Sequence, residues 1–573
     1  MHRFLRGTSR LFAELKRRKV YQVAIVYLVA AFVGLQVLDL LVPDTTLPDW
    51  APGLFIALVI LGFPVALVLA WAFELTPEGV RRERPAKEQP AQDAARSGSI
   101  PKPAPDKQSP ATGPGVERSI AVLPFETLGA RKASAFTDAI HVGVLTRLSS
   151  ISDLRVISRT SVQRYRKSDK ALPEIGIELG VGWILGGEVQ EVAEQVEVNA
   201  RLMDAVHDRQ VWAEHYRRDL TAGNIFDIQG EITRRISDSL KARLTRKEAR
   251  EIDRAPTTDL DAYRRYAQGR GWLDERTEDG MRRAADFFRH AVAHDPTYAL
   301  AWVGLADSLT LLHDYAHEHP DSVLPEAERA VRKALELEPD LAEAHASLGL
   351  LHGTNRNGPD ALRELALATE LRPGYAEAHN WLSWLSLLVG DADRAHKASA
   401  RAVDLDPLAP EPLTNLAWSQ LALGNAVDAL ATIRRERALG SAWTTGPLGE
   451  GVVLYHLGRH EEAIEVLDGL SAEWAGVGAE VTLALACLAS GARDRAVELE
   501  QGFRETADYF ASATVLAGLG EIEPAFSQLE RVRNWGYWDA MAIHHYYGEV
   551  LGPLRADSRW GDIVARLNRS WGL

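Results

Sequence analysis

The sequence predicts a multidomain chain: two transmembrane helices, a small mixed α/β domain, and an all-α superhelix of stacked helix pairs, an α-solenoid. Three observations predict it. Two apolar runs near the N-terminus are long enough to cross a bilayer, the hydrophobic period switches at Ser119 to a strand followed by a helix, and prolines and alanines recur every 34 residues in the second half. The length of 573 residues agrees, because a single core stops growing near about 250–300 residues. One cysteine, Cys487, excludes an intramolecular disulfide and a Cys-based zinc ribbon, and favours a reducing compartment. The net charge of −14 argues against a nucleic-acid partner.

The first run, residues 20–42, carries Asp39 near one end; the second, residues 53–73, carries no charge. A hydrocarbon layer of about 30 Å needs about 20 helical residues, so both are read as spans. Seven Lys and Arg lie in residues 1–19, none in the loop 43–52, and Arg81, Arg82, Arg84 and Lys87 follow the second span. That bias predicts a multi-pass protein of the bacterial inner membrane with both termini and the folded domains in the cytoplasm. The basic segment 1–19 reads either as an interfacial helix against anionic lipid or as a topology signal. Ala30 and Gly34 offer a small-residue surface for pairing of membrane helices, hence a homo-oligomer. Residues 74–117 are expected to be a tether, since 81–117 hold seven prolines and no aromatic residue.

From 118 to 250 the chain alternates between the two periods. SIAVLPF at Ser119 reads as a buried strand and Ser134–Ser149 as a helix. Leu154–Ser158 reads as a second strand and Leu172–Leu179 as a helix with Pro173 in its first turn. Alternating residues then mark three strands, through Trp183–Val189, Val196–Leu202 and Val211–His215, before a helix at Ile225–Leu244. The blocks RSIAVLPF, FTDAI, LRVISRTSV, IGIELGVGWILGGEV and QVWAEHYRRDL occur in this order, and the segment resembles the TolB-like or FlgO-like domain of bacterial membrane-bound regulators. It departs from that pattern at Ala139, where glycine is usual, and in the stretch ETLGARKAS. The resemblance implies an accessory or sensory domain and brings no catalytic residue with it.

Pro339, Pro373 and Pro407 stand 34 residues apart, each with an alanine five residues earlier (Ala334, Ala368, Ala402) and another twelve earlier (Ala327, Ala361, Ala395). Small residues let two helices approach, and proline ends the second helix of each pair. The pattern is that of tetratricopeptide (TPR) repeats, and about eight units are expected over 256–535, with capping helices over 536–573. The spacing from Pro296 to Pro339 is 43, so an insertion near HDYAHEHPDSVLP is expected to lengthen one turn.

No HExxH, GxxxxGK, GxSxG or CxxC motif occurs. His313, His317 and His319 with Asp314, Glu318 and Asp321 could form a metal shell or simply a polar loop. His544 and His545 beside Tyr546 and Tyr547 could be a ligand cluster or packing. The glycines of GVGWILGG precede a strand, against a dinucleotide loop, and Cys487 reads as a small core residue. No catalytic, cofactor-binding or metal-ligating residue is assigned, no cofactor is expected, and no enzymatic activity is expected. Residues 256–573 hold 29 Lys plus Arg against 48 Asp plus Glu. The chain therefore reads as a membrane-anchored scaffold or adaptor that binds partner peptides or helices, basic ones preferred, in a concave groove. The alternative is a sensor whose α/β domain binds a small ligand and modulates that partner.

Overall fold

The computed structural model describes residues 74–76, 79–81, 117–127, 135–192, 194–315, 318–440, 446–470 and 477–573. The chain divides into two compact units, residues 1–106 and 107–573. The described part of the first is a hairpin, β1 (Glu74–Thr76) antiparallel to β2 (Gly79–Arg81), within the stretch expected as tether. Segments 1–19, 20–42 and 53–73, with Ala30 and Gly34, lie outside the described residues. The expected multi-pass inner-membrane location with cytoplasmic termini is corrected by one finding: among the described residues no helix is long and apolar enough to cross a membrane. The longest described helices have 18 residues and carry charges along their length, such as Glu231, Arg234 and Arg235.

In the second unit, β3 (Ser119–Val122) is wholly buried, as an unbroken apolar strand covered on both faces must be. It lies parallel to β5 (Arg155–Val156) on one side and β6 (Trp183–Val192) on the other, while β4 (Glu126–Thr127) pairs with the far end of β6. The sheet continues as an antiparallel meander through β7 (Gln195–Asp204) and β8 (Arg209–Asp219). Four helices dress it: α1 (Ala135–Ser149), α2 (Arg159–Gln163), α3 (Leu172–Leu179) and α4 (Ala222–Ser239). Ile140, Val144, Ile225 and Ile232 bring α1 and α4 onto one face; Val162, Ile175 and Leu179 bring α2 and α3 against Ile184 on the other. The helix expected at Ile225–Leu244 is in fact two. Lys241 turns the chain with φ 52°, and Thr245 and Glu248 form a capping box that starts α5 (Arg246–Ile252).

Eight antiparallel helix pairs follow among the described residues. They are α6 (Leu260–Leu273) with α7 (Glu278–His294), α8 (Ala299–Asp314) with α9 (Pro320–Leu337), α10 (Ala342–Thr354) with α11 (Gly358–Leu371), and α12 (Ala376–Leu388) with α13 (Ala392–Leu405). Then come α14 (Pro410–Ala422) with α15 (Ala426–Ala438), α16 (Gly446–His456) with α17 (His460–Asp468), α18 (Val477–Ala489) with α19 (Arg493–Glu505), and α20 (Tyr509–Leu519) with α21 (Ile522–Arg531). A Cβ at Gly304 on α8 would stand 2.5 Å from the Phe288 ring of α7, so only glycine lets these helices meet so closely. Gly390, Gly424 and Gly458 close successive turns with φ of 86°, 81° and 71°, conformations that L side chains avoid. The insertion is absorbed mainly by longer helices, 16 and 18 residues in α8 and α9 against 13 and 14 in α10 and α11, because extra helical turns extend buried faces without exposing backbone.

Residues 535–573 form α22 (Tyr537–His544), α23 (Gly552–Arg555) and α24 (Trp560–Ser570). Trp535, Tyr546, Tyr547 and Trp571 are all at most 2% exposed and belong to the same core as the array.

Candidate functional site

The α/β domain docks along the turns that join one helix pair to the next. The Ser158 N–H donates to the Leu405 carbonyl at 2.8 Å, and Ser161 donates to the Asp406 carboxylate from its N–H at 3.0 Å and its hydroxyl at 2.5 Å. Leu408 N–H donates back to the Ser161 hydroxyl at 2.8 Å. Burial pushes the Asp406 carboxyl up to about 6, against the pull of its serine donors. Arg155 meets the Asp404 carboxylate at 2.6 Å and its carbonyl at 2.8 Å, and Arg164 reaches the Leu439 carbonyl at 3.0 Å. A Cβ on Gly374 would lie 2.5 Å from the Ser149 carbonyl oxygen, so the two backbones touch there.

Between this seam and the first helix pairs lies a cavity of about 620 Å³. One wall is α1, packed on α6; the other comprises α4, the segment after α5, and the turns around 338–343 and 371–372. Arg147 closes one end. Its guanidinium donates to Gln229 at 2.7 Å and to the carbonyls of Ile252 and Arg254 at 3.1 and 2.8 Å, which ties α1, α4 and the linker to the array together. Aromatic side chains supply the apolar lining: Phe226 and Tyr263 meet edge-to-face at 5.1 Å, and Tyr266 and Tyr298 meet tilted at 5.0 Å.

The carboxylates on the cavity wall all have cationic partners. Asp138 pairs with Arg166 at 2.7 Å, Asp340 with Lys247 at 3.2 Å, Glu343 with Arg372 at 2.6 Å, Glu251 with Arg254 at 3.6 Å, and Glu338 also with Arg254. Arg270 has no ion-pair or hydrogen-bond partner for its guanidinium among the described residues, and its Nε is buried without a partner. The Nε atoms of Arg159 and Arg372 are buried and unpartnered as well. None of these arginines was singled out from sequence, because they come from α2, α6 and the end of α11 and share no local motif.

Farther along the array the inner face is covered by the chain itself. Trp384 of α12 meets Tyr537 at 5.2 Å, Trp418 of α14 meets Trp538 at 5.7 Å, and Tyr455 of α16 meets Tyr547 at 6.0 Å, all edge-to-face. His545 contacts the Leu387 carbonyl at 2.9 Å, and Gly358 N–H donates to the Trp571 carbonyl at 2.9 Å. The C-terminal helices thus lie along several first helices and also pack on the last pair, where the Arg559 guanidinium stands 3.9 Å from the Phe526 ring and pairs with Glu523 at 2.8 Å.

The histidines near the insertion do not converge. His313 Nδ1 sits 3.0 Å from the Glu318 carbonyl, Asp314 accepts from Thr354 at 2.9 Å, Glu318 pairs with Arg282, and His319 caps α9 beside Asp321. His317 lies outside the described residues, and among the described residues no group of three His, Cys, Asp or Glu could hold a metal ion. His544 packs on the Gly390 turn, and Tyr546 donates to the Trp418 carbonyl at 3.3 Å, so that cluster is spent on packing. In GVGWILGG, Gly180 ends α3 with φ 64°, while Gly186 and Gly187 lie within β6. Cys487 is fully buried in α18, and burial raises its thiol.

No family model matches the chain. A curated relative, "Putative adenylate cyclase 3" of Rhizobium meliloti (strain 1021), is 30% identical over 237 residues, covering 40% of this chain and 40% of the relative. The match therefore spans less than half of that relative's length. The expectation of no enzymatic activity is corrected by this match, since the relative bears the name of an enzyme. Similar solved structures include PilW, a type IV pilus biogenesis factor, with 19% identity over 38% of this chain and 98% of that one, TM-score 0.32. A thermophilic TPR protein of Thermus thermophilus has 18% identity over 35% of this chain and 99% of that one, TM-score 0.28. The Cut9–Hcn1 hetero-tetramer of the APC/C has 16% identity over 60% of this chain and 74% of that one, TM-score 0.32. The tetratricopeptide character of the array rests on the period and packing of its own helix pairs.

Proposed function

We propose that this chain is a protein–protein interaction scaffold in which the helix-pair array recruits partner proteins and the α/β domain, which resembles TolB-like domains, is an accessory body fixed to it. The observation that carries the reading is the stack of eight helix pairs, an architecture whose extended surface suits binding of peptides and helices. The acid excess of residues 256–573 favours basic partner segments. Because the inner face from α12 to α18 is held by the C-terminal helices, partner binding falls to the outer helices or to the first pairs. Affinity capture with the full chain tests this against a chain lacking residues 256–573. Partners should be lost on the deletion and released by raised salt; recovery of the same partners by both chains sinks it.

A second reading, favoured by the cavity at the seam, is a sensor in which a small ligand between the α/β domain and the array alters partner binding. A third, favoured by the curated relative alone, is a contribution to cyclase activity, tested by assaying the purified chain for conversion of ATP to cyclic AMP.

A further inference from the structure

The cavity at the seam has the chemistry of an anion site in a chain that is otherwise acidic. Its five carboxylates share four cations, because Arg254 serves both Glu251 and Glu338, and Arg159 spends one terminal nitrogen on Asp274. Arg147 and Arg270 make no direct ion pair with any of them. Arg147 is satisfied by four oxygen acceptors, including the Gly143 carbonyl at 3.3 Å, so its charge is fixed in the wall as a permanent positive field. Arg270 makes no direct ion pair or hydrogen bond among the described residues, and the Asp274 and Glu377 carboxylates act on it only through space.

A guanidinium without a direct acceptor gains from an anion set against it. The Nε atoms of Arg159, Arg270 and Arg372 are likewise without an acceptor. Arg372 is only 8% exposed, and its ring contact with Tyr375 at 4.1 Å holds the guanidinium plane in place. Several guanidinium donors suit a phosphate, whose oxygens accept in several directions, better than a carboxylate with two. The space is much larger than one phosphate needs, and its size falls within the range of about 300–1,000 Å³ used by drug-sized ligands. Phe226, Tyr263, Tyr266 and Tyr298 line it with ring surface on which a flat aromatic group can pack.

We propose that this cavity binds a small aromatic molecule bearing one phosphate, the size of a nucleoside monophosphate, with Arg270 as the principal phosphate ligand and Arg159 and Arg372 beside it. The proposal rests on the sensor reading only for its consequence; the site itself follows from the charge and shape of the seam.

The test titrates the full chain with AMP, adenosine and inorganic phosphate by calorimetry and thermal melting. AMP binds with one-to-one stoichiometry and raises the melting temperature, while adenosine and phosphate each bind about tenfold more weakly or worse. Arg270→Gln weakens AMP by about tenfold or more, the scale of a lost charged hydrogen bond, with circular dichroism and ligand-free melting unchanged; Arg270→Lys recovers part of the loss. Should the glutamine variant fail to fold, photocrosslinking of azido-AMP to the unaltered chain decides, and the labelled peptides must fall within residues 135–149, 222–239, 260–273 or 298–300. The site is overturned if no probe binds, if adenosine matches AMP, if Arg270→Gln binds AMP as the parent does, or if the label falls elsewhere. If AMP binds as stated but partner capture is the same with and without it, the site stands and the sensor reading fails.

Discussion

The array changes character along its length. Beside the first pairs, where α6 and the turns around 338–343 and 371–372 face the α/β domain, it is charged and encloses space: arginines and acids pair around a cavity that the α/β domain closes. From α12 to α18 it is aromatic and filled, because Trp384, Trp418 and Tyr455 interlock with the chain's own residues 537–547. The same repeat geometry thus yields a polar chamber at one end and a filled aromatic core at the other. The difference teaches that a helix-pair array does not by itself offer a free groove; which residues face inward decides what occupies it.

If the filled half is held by aromatic packing, its loss should be the largest single effect. Trp571 is fully buried, lies 5.6 Å from Tyr537, and is covered by Arg356 at 5.5 Å. Trp571→Ala is expected to destabilise by about 3–5 kcal/mol, read as a lower urea midpoint and faster exchange throughout residues 537–570. A loss confined to the last few residues would mean that the segment is a loose tail and the comparison is false.

At the chamber, the seam should break at a smaller cost. Asp406→Ala removes the acceptor shared by the N–H and hydroxyl of Ser161 and leaves that serine buried. The expected penalty is about 1–3 kcal/mol, and limited proteolysis should cut between residues 250 and 260, releasing the α/β domain intact. Equal destabilisation of α22 would show that the two halves are not separable. Arg356→Gly should have a smaller effect still. Arg356 holds φ 59° where Gly390 stands one repeat later, so glycine relieves strain while losing the bond to the Trp535 carbonyl and the cover over Trp571. Global stability should change by less than about 1 kcal/mol, yet exchange in α22 should quicken.

Much of this architecture was legible in the sequence, for identifiable reasons. Pro339, Pro373 and Pro407 mark helix ends that local chemistry enforces, and SIAV at Ser119 could only be a buried strand. The cavity was not legible, since Arg159, Arg270 and Arg372 are far apart in the chain and line one cavity only after docking. Nor was the destination of residues 536–573, because their aromatic residues suit any apolar face. A signal did exist: Trp384 and Trp418 stand 34 residues apart at matching positions of two first helices, which marks an aromatic inner face in need of a partner. The split of the helix expected at Ile225–Leu244 was available too, in the Thr245 and Glu248 capping pair.

The comparison is tested most finely by acid, because the buried acids at α8 and the seam and the buried histidines around α22 titrate in opposite senses. In the chamber half, burial pushes Asp307 up to about 7, partly opposed by its Ser347 bond, and lifts Asp406 to about 6. A carboxyl whose folded value is raised stabilises fully below its unfolded value, near 3.8, and loses that contribution as pH rises through the folded one; acidification from pH 7.5 to 5 therefore tightens this half. In the filled half, burial lowers His456 and His544 from 6.5 to about 4 and also lowers His545. Their contribution is complete above 6.5 and is lost as pH falls toward 4, so the same acidification loosens this half. Asp539, raised to about 6 by burial, opposes them, as do Asp508 and Glu480, also raised by burial, so the loosening is read at residues 537–547, which hold His544 and His545. Hydrogen exchange corrected for intrinsic rates should therefore show protection in residues 537–547 falling about tenfold relative to α8 between pH 7.5 and 5, the equivalent of one pKa unit. His456→Gln should remove part of that difference, since its ring stacks on Tyr547 at 5.9 Å and the amide cannot charge. A protection change of the same sign in both halves would mean that the histidines are hydrated and that the aromatic core is not dry.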